Sequence, residues 1–188
     1  TVYEMEKWSK MKLEIFRGDS FQIVIDNPYE AVRIAILIRA GLQKSTPEGS
    51  EIKWDARLAL GLGSVNFSQE ESVTESDGEA FRNSGWLFDE LGKRKLAIRT
   101  PWQNMNDELK VSTAFADDIV SEWSVAQAQA IYASLIHSKT QKEIAADLNT
   151  SPQNISKRII AGKEYLIRPY LDRCKQIITA KIQTDGIK

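Results

Sequence analysis

The sequence predicts an α+β protein in which helices pack on one sheet, followed by a part that is entirely helical. Several segments before residue 101 alternate apolar and polar residues with the period of two that strands require. Others repeat apolar residues at helical spacing, and after Trp123 only helical spacing occurs. We therefore expect a front α+β domain at 1–123 and an all-α domain at 124–188.

The front domain is predicted to begin with the end of a helix at 1–10, followed by a hairpin. The alternating segments 12–17 and 20–26 flank Gly18-Asp19, a pair typical of a tight hairpin loop. Asn27-Pro28 then predicts a helix start, because Asn caps helices and Pro fits their first turn. The remaining front elements are expected, in order, as a helix to residue 44, a strand at 54–65, a helix at 78–91, a strand at 95–100 and a helix at 104–123.

One face of the strand predicted at 54–65 carries mostly small residues. Ala59, Gly61 and Gly63 follow Arg57 at every second position. Small side chains on one strand face indicate a close approach, either by a packed helix or by a ligand.

The C-terminal part carries the spacing of a helix-turn-helix. Ser124, Thr140 and Ser151 can each cap a helix, and Pro152 suits the first turn of the third. Asn149 occupies the turn, where a left-handed backbone is needed and Asn is tolerated.

Buried positions of the predicted third helix fix which residues face outward. Ile155 and Ile159 are expected in the core, which leaves polar side chains able to bond bases or phosphates on the other face. A generic helical pair with a solvated polar face is the alternative. The expected contacts to double-stranded DNA are Thr140, Gln141, Ser151, Gln153, Asn154, Ser156, Lys157 and Arg158.

Charge is distributed unevenly along the chain. The net charge is −1, but residues 124–188 hold ten Lys and Arg against five Asp and Glu. A basic C-terminal part behind an acidic front is typical of a nucleic-acid-binding module joined to another domain.

The sequence also excludes two classes of protein, those that cross a membrane and those built on disulfides or cysteine-bound metals. The most apolar stretch, near Ala31–Leu42, contains Arg33 and Arg39. Cys174 is the only cysteine, and both it and His137 are expected to have structural roles. We expect a cytoplasmic protein, and the absence of an initiator Met suggests that part of the natural chain is missing.

Short motifs of the front domain resemble the SatD family of bacterial proteins. The hairpin Arg17–Gln22 resembles its Gly-Asp-Glu-Phe-Gln hairpin, Arg57–Gly63 its glycine-alternating strand, and Asp77–Ser84 its Asp-Gly-x-Ala-x-x-Asn segment. SatD-like proteins also carry a C-terminal helix-turn-helix. The resemblance covers roughly residues 10–160.

The SatD family is in turn distantly similar to the palm fold of nucleotide cyclases. This resemblance implies a ferredoxin-like sheet, without its first strand here, and a site for a nucleotide or a divalent metal such as Mg²⁺. Asp19 is the candidate metal ligand, although a turn residue is the simpler explanation for it. The candidate site is Gly18, Asp19, Arg57, Asp77 and Asn83, with Glu79 nearby.

Two departures from the cyclase pattern favour sensing over catalysis. Ser20 replaces the second acidic residue of the hairpin, and no first strand with its aspartate precedes Thr1. The leading hypothesis is a DNA-binding transcriptional regulator whose front domain dimerises or senses a nucleotide or metal. The alternatives are a cyclase-like enzyme with a DNA-binding tail, and a protein-interaction module.

Overall fold

The computed structural model describes residues 2–16, 18–66, 77–137 and 139–185. The side chains of Val2, Phe16, Asn66, Asp77 and Asp185 are outside this description. The helices are α1 (Val2–Met5), α2 (Ala31–Lys44), α3 (Glu79–Asp89), α4 (Gln103–Ser121), α5 (Val125–Ile136), α6 (Gln141–Asp147), α7 (Pro152–Ala161) and α8 (Glu164–Asp185). The strands are β1 (Met11–Phe16), β2 (Ser20–Ile25), β3 (Leu58–Gly61), β4 (Val65–Asn66), β5 (Asp77–Gly78) and β6 (Leu96–Arg99).

The predicted α+β class is confirmed, but the described strands do not join into one palm-type sheet. They form three two-stranded sheets, of which β1–β2 and β4–β5 are antiparallel and β3–β6 is parallel. Among the described strands, β1 and β2 pair only with each other. At the base of this hairpin, the Asn27 amide donates to Ser9 Oγ (2.8 Å) and Asn27 Nδ2 donates to the Trp8 carbonyl (2.8 Å). The strand predicted at 54–65 is shorter, because only Leu58–Gly61 pairs with β6.

Helix α2 lies at the centre of the molecule. Asn27 Oδ1 accepts from the Tyr29 amide at the start of a short 3₁₀ turn, Pro28–Glu30, that leads into α2. Ile34, Ile36 and Leu37 are fully buried, because α2 packs against α5, α8 and β3 on different sides. A helix that is apolar around most of its circumference is expected to be enclosed in this way.

A buried ion network attaches α2 to its neighbours. The Arg39 guanidinium is inaccessible to solvent and holds both oxygens of Asp55, at 2.9 and 2.8 Å. Its Nη1 also donates to Asp117 Oδ1 of α4 (2.6 Å). Burial alone would raise the pKa of Asp55, but hydrogen bonds and charge from Arg39 and Lys95 hold it below its usual value.

One cluster of buried side chains crosses the predicted domain boundary at 123–124. It joins residues of α2 and α4 to residues of α5 and α8. At the boundary, the indole of Trp123 is buried and donates to the Gly162 carbonyl (2.7 Å). The front and back parts of the chain therefore share a core.

Helix α8 folds back on the rest of the chain. Its buried face consists of Ile167, Leu171, Cys174 and Ile178. Burial raises the pKa of the Cys174 thiol to about 12, which fits a structural role. No described helix is both long enough and apolar enough to cross a membrane.

The small face of β3 is explained by a packed helix. A Cβ placed on Gly61 would lie 2.1 Å from the Ala80 carbonyl oxygen and 2.6 Å from the Ser84 amide nitrogen, both backbone atoms of α3. Leu87 and Leu91 pack with Ala97 beside this contact. The close approach predicted from the sequence is therefore made by α3 at this glycine.

Replacing Arg39 with Ala should destabilise the fold by about 3–5 kcal/mol, because Asp55 and Asp117 would remain buried without a counter-ion. Urea unfolding measures this change. Arg33→Ala on the same helix is the control, since Arg33 is partly exposed and should cost about 1 kcal/mol or less. Equal losses of unfolding free energy in the two variants would contradict the role of Arg39 as the counter-ion of the two buried carboxylates.

Gly61→Ala should destabilise the protein by about 1–3 kcal/mol, since its methyl group would collide with backbone rather than with a movable side chain. Gly85→Ala is the matched control, because open space surrounds that position on α3. Alanine favours helix there, so this control should gain up to about 1 kcal/mol. Thermal unfolding of both variants separates close packing from a general loss of glycine flexibility.

Candidate nucleic-acid interface

Helices α5 and α6 each begin with a complete capping box. Ser124 Oγ accepts from the Gln127 amide, and the Gln127 side chain accepts from the Ser124 amide. Thr140 and Glu143 make the same reciprocal pair at α6. Hydrogen bonds from Thr140 hold the pKa of the Glu143 carboxyl below its usual value. The predicted caps are confirmed, and each fixes where its helix starts.

The turn between α6 and α7 has the predicted left-handed residue. Asn149 has φ 47° and an exposed side chain. The next amide, of Thr150, donates to the Ala145 carbonyl (2.9 Å), which closes the end of α6. Ser151 Oγ then accepts from the Asn154 amide (3.2 Å), and Pro152 is the first residue of α7.

A small apolar core sets the relative positions of α5, α6 and α7. Ala130, Ile144, Ala145 and Ile155 are buried together, with Ala133, Leu148 and Ile159 packed around them. Ala145 is 2% exposed, so a larger side chain would push the helices apart. The predicted inward positions of Ile144, Ala145, Ile155 and Ile159 are therefore confirmed.

The opposite face of α7 carries the polar residues that the sequence assigned to DNA. Gln153, Asn154 and Lys157 are exposed, whereas Ser156 and Arg158 are half-buried. Asn154 Nδ2 donates to Thr150 Oγ1 (2.8 Å), which holds its side chain near the start of the helix. The remaining predicted residues are all exposed near the starts of α6 and α7: Thr140, Gln141 and Ser151.

Two cations of this face, Lys157 and Arg158, have no acidic partner among the described residues. In the parts of the chain that the structure describes, no carboxylate lies within 4 Å of Lys157 or Arg158. By contrast, Lys139 pairs with Asp147 at 2.6 Å. An external anion such as a phosphate can neutralise a cation that has no acidic partner without breaking an ion pair within the protein.

Lys142 is a further exposed cation of α6, which is not among the residues predicted from the sequence to contact DNA. It also has no acidic partner among the described residues. The sequence pattern could have indicated the exposure of Lys142, because inward positions at Ile144 and Ala145 leave position 142 on the outer side of α6.

The candidate site of the front part is more dispersed. Gly18 and Asp19 are exposed between β1 and β2, with Gly18 at φ 79°. Arg57 precedes β3, where it donates to the Gly92 carbonyl and lies 5.3 Å from the Phe88 ring centroid. Asn83 donates to the Leu62 carbonyl (2.8 Å). Positions 57 and 62 flank the four residues of β3, and an extended chain separates them by about 16 Å.

These positions do not form a recognisable metal site in the described part of the chain. No group of three or more His, Cys, Asp or Glu side chains comes together there. The backbone of Asp77 pairs with Asn66, but its side chain is outside the described residues. Arg57 and Asn83 instead make packing and hydrogen-bond contacts at opposite ends of β3.

Comparison with known proteins adds no relative. No family model, curated protein or solved structure matches the chain. Functional inference therefore depends on the chemistry of its own residues.

Asn149→Val should destabilise the protein by about 1–2 kcal/mol, because a β-branched residue is strongly disfavoured at φ 47°. Asn149→Gly should be neutral or slightly stabilising, since Gly adopts this conformation freely. Urea unfolding of both variants provides the measurement. A Val variant as stable as the Gly variant would show that the turn does not require a left-handed residue.

Proposed function

We propose that the protein is a DNA-binding transcriptional regulator that binds double-stranded DNA through α6 and α7. The observation that carries this proposal is the outer face of α7, where exposed Gln153 and Asn154 lie beside cations without acidic partners. The apolar core that α5, α6 and α7 share fixes the position of α7 relative to α5 and α6. Its chemistry suits the major groove, which accepts a helix and offers hydrogen-bonding groups to Gln, Asn, Lys and Arg.

Each residue of the interface has a separate part in the proposed complex. Gln153 and Asn154 lie in the first turn of α7 and would contact base edges, as the N-terminal residues of a recognition helix do. Lys157 and Arg158, one turn later, would bond guanine or phosphate. Thr140, Gln141, Ser151 and Ser156 would contact the phosphate backbone and set the orientation of the helix.

The front part of the chain would control the DNA-binding part, by dimerisation or by sensing a nucleotide or metal. The shared core supports such control, because α2 packs directly on α5, the helix that supports α6 and α7. We further propose that the chain is SatD-like, on its short sequence motifs alone, and that it acts in the cytoplasm. A change in the position of α2 would reach α7 through a single intervening helix.

Replacing both Lys157 and Arg158 with Ala should weaken duplex DNA binding at least about 100-fold, since each contact contributes about 1–3 kcal/mol. Fluorescence anisotropy with a labelled duplex pool at several salt concentrations measures affinity and its salt dependence. The variant should also show a shallower dependence on salt, because fewer counterions would be released.

The matched control is the double variant Lys93→Ala, Arg94→Ala. This pair has the same sequence and the same exposure, with an exposed Lys before a half-buried Arg, but lies in the front part of the chain. It should keep wild-type affinity. Equal affinity of wild type and the α7 variant, or equal losses in both double variants, would overturn the proposal.

A further inference from the structure

Arg99, at the end of β6, lies against the face of an exposed tryptophan. Its guanidinium carbon is 3.8 Å from the centroid of the Trp86 ring, a close cation–π contact. Trp86 is 48% exposed, so the stack is open to solvent along one side.

Hydrogen bonds hold this arginine in one orientation. Arg99 Nε donates to Asn83 Oδ1 (3.2 Å), while Asn83 Nδ2 donates to the Leu62 carbonyl (2.8 Å). The guanidinium is therefore fixed from its face by an indole and from its Nε edge by an amide. A guanidinium held in this way loses little freedom when it binds a ligand.

In the described part of the chain, the other edge of the guanidinium has no protein partner. Among the described residues, no hydrogen bond or carboxylate contact within 4 Å engages Arg99 Nη1 or Nη2. Arg33, Arg39, Arg168 and Arg173 each pair with a carboxylate, and Arg99 differs from these four in having none among the described residues.

The location of Arg99 also suits a ligand. Parallel strands β3 and β6 both end here, with Gly61 opposite Arg99 in the register. Ligands of open α/β sheets bind outside the carboxyl ends of parallel strands. Leu62 and Asn83, which hold the arginine, lie at this same edge.

We propose that Arg99 and Trp86 form a binding site for a nucleoside phosphate. The two free Nη groups present the fork that matches two oxygens of a phosphate. The exposed part of the Trp86 ring supplies a surface on which a base can stack. Asn83 belongs to the site as a positioning residue, because its amide orients Arg99. The inference is independent of DNA binding, since α3 and β6 pack with β3 and α4, away from α6 and α7.

Titration calorimetry of the full chain with AMP, adenosine and inorganic phosphate tests the proposal. AMP should bind more tightly than either of its parts, because the site holds both base and phosphate. Arg99→Gln should weaken AMP binding at least about 10-fold, a change that corresponds to the loss of a charged hydrogen bond. DNA affinity of this variant without AMP should equal that of the wild type.

Arg33→Gln is the matched control, because Arg33 also lies over an indole, that of Trp8 at 5.7 Å, but belongs to α2 and pairs with Glu30. It should keep wild-type affinity for AMP. Should Arg99→Gln fail to fold, as judged by circular dichroism, Arg99→Lys retains the charge without the fork and should show a similar loss. The proposal is overturned if AMP does not bind, binds no better than adenosine, or binds equally to the wild type and the folded Arg99 variant.

Discussion

The buried guanidinium of Arg39 is the constraint on which the arrangement of the front part depends. A charge with no access to water must be matched by charges of opposite sign, and Asp55 and Asp117 supply them from a loop and from α4. Asp117 also accepts from the Lys95 amide just before β6, at 2.9 Å. One arginine thus fixes α2 relative to α4 and to the segments that lead into both parallel strands.

The position of α2 carries this constraint into the C-terminal part. Its apolar side chains pack on α5 within one continuous core, and Trp123 joins the end of α4 to the junction of α7 and α8 through the Gly162 carbonyl. Helices α5, α6 and α7 add a second, smaller core of their own around Ile144 and Ile155. The internal geometry of the proposed DNA-binding face is therefore local, while its orientation is set by the front of the chain.

This division explains how much the sequence could predict. Caps at Thr140 and Ser151 and the turn at Asn149 depend on residues within a few positions of each other, so local patterns were sufficient. The ion partners of Arg39 lie 16 and 78 residues away in sequence. From the sequence, this arginine indicated only that the apolar stretch around it does not cross a membrane. The extent of the shared core could not be predicted either, because its contacts also join residues that are far apart in sequence.

The candidate site of the front part shows the same limit of local sequence patterns. Alternation along β3 correctly predicted a close approach, but the choice between helix and ligand needed the position of α3, which meets Gly61 directly. Asn83 was selected by resemblance together with Asp19 and Arg57, yet its contacts are with Leu62 and Arg99. Arg99 had no local signal, because its environment arises only when β6 pairs in parallel with β3 and α3 brings Trp86 onto it. A binding group assembled from separate segments becomes visible only when the pairing of strands is known.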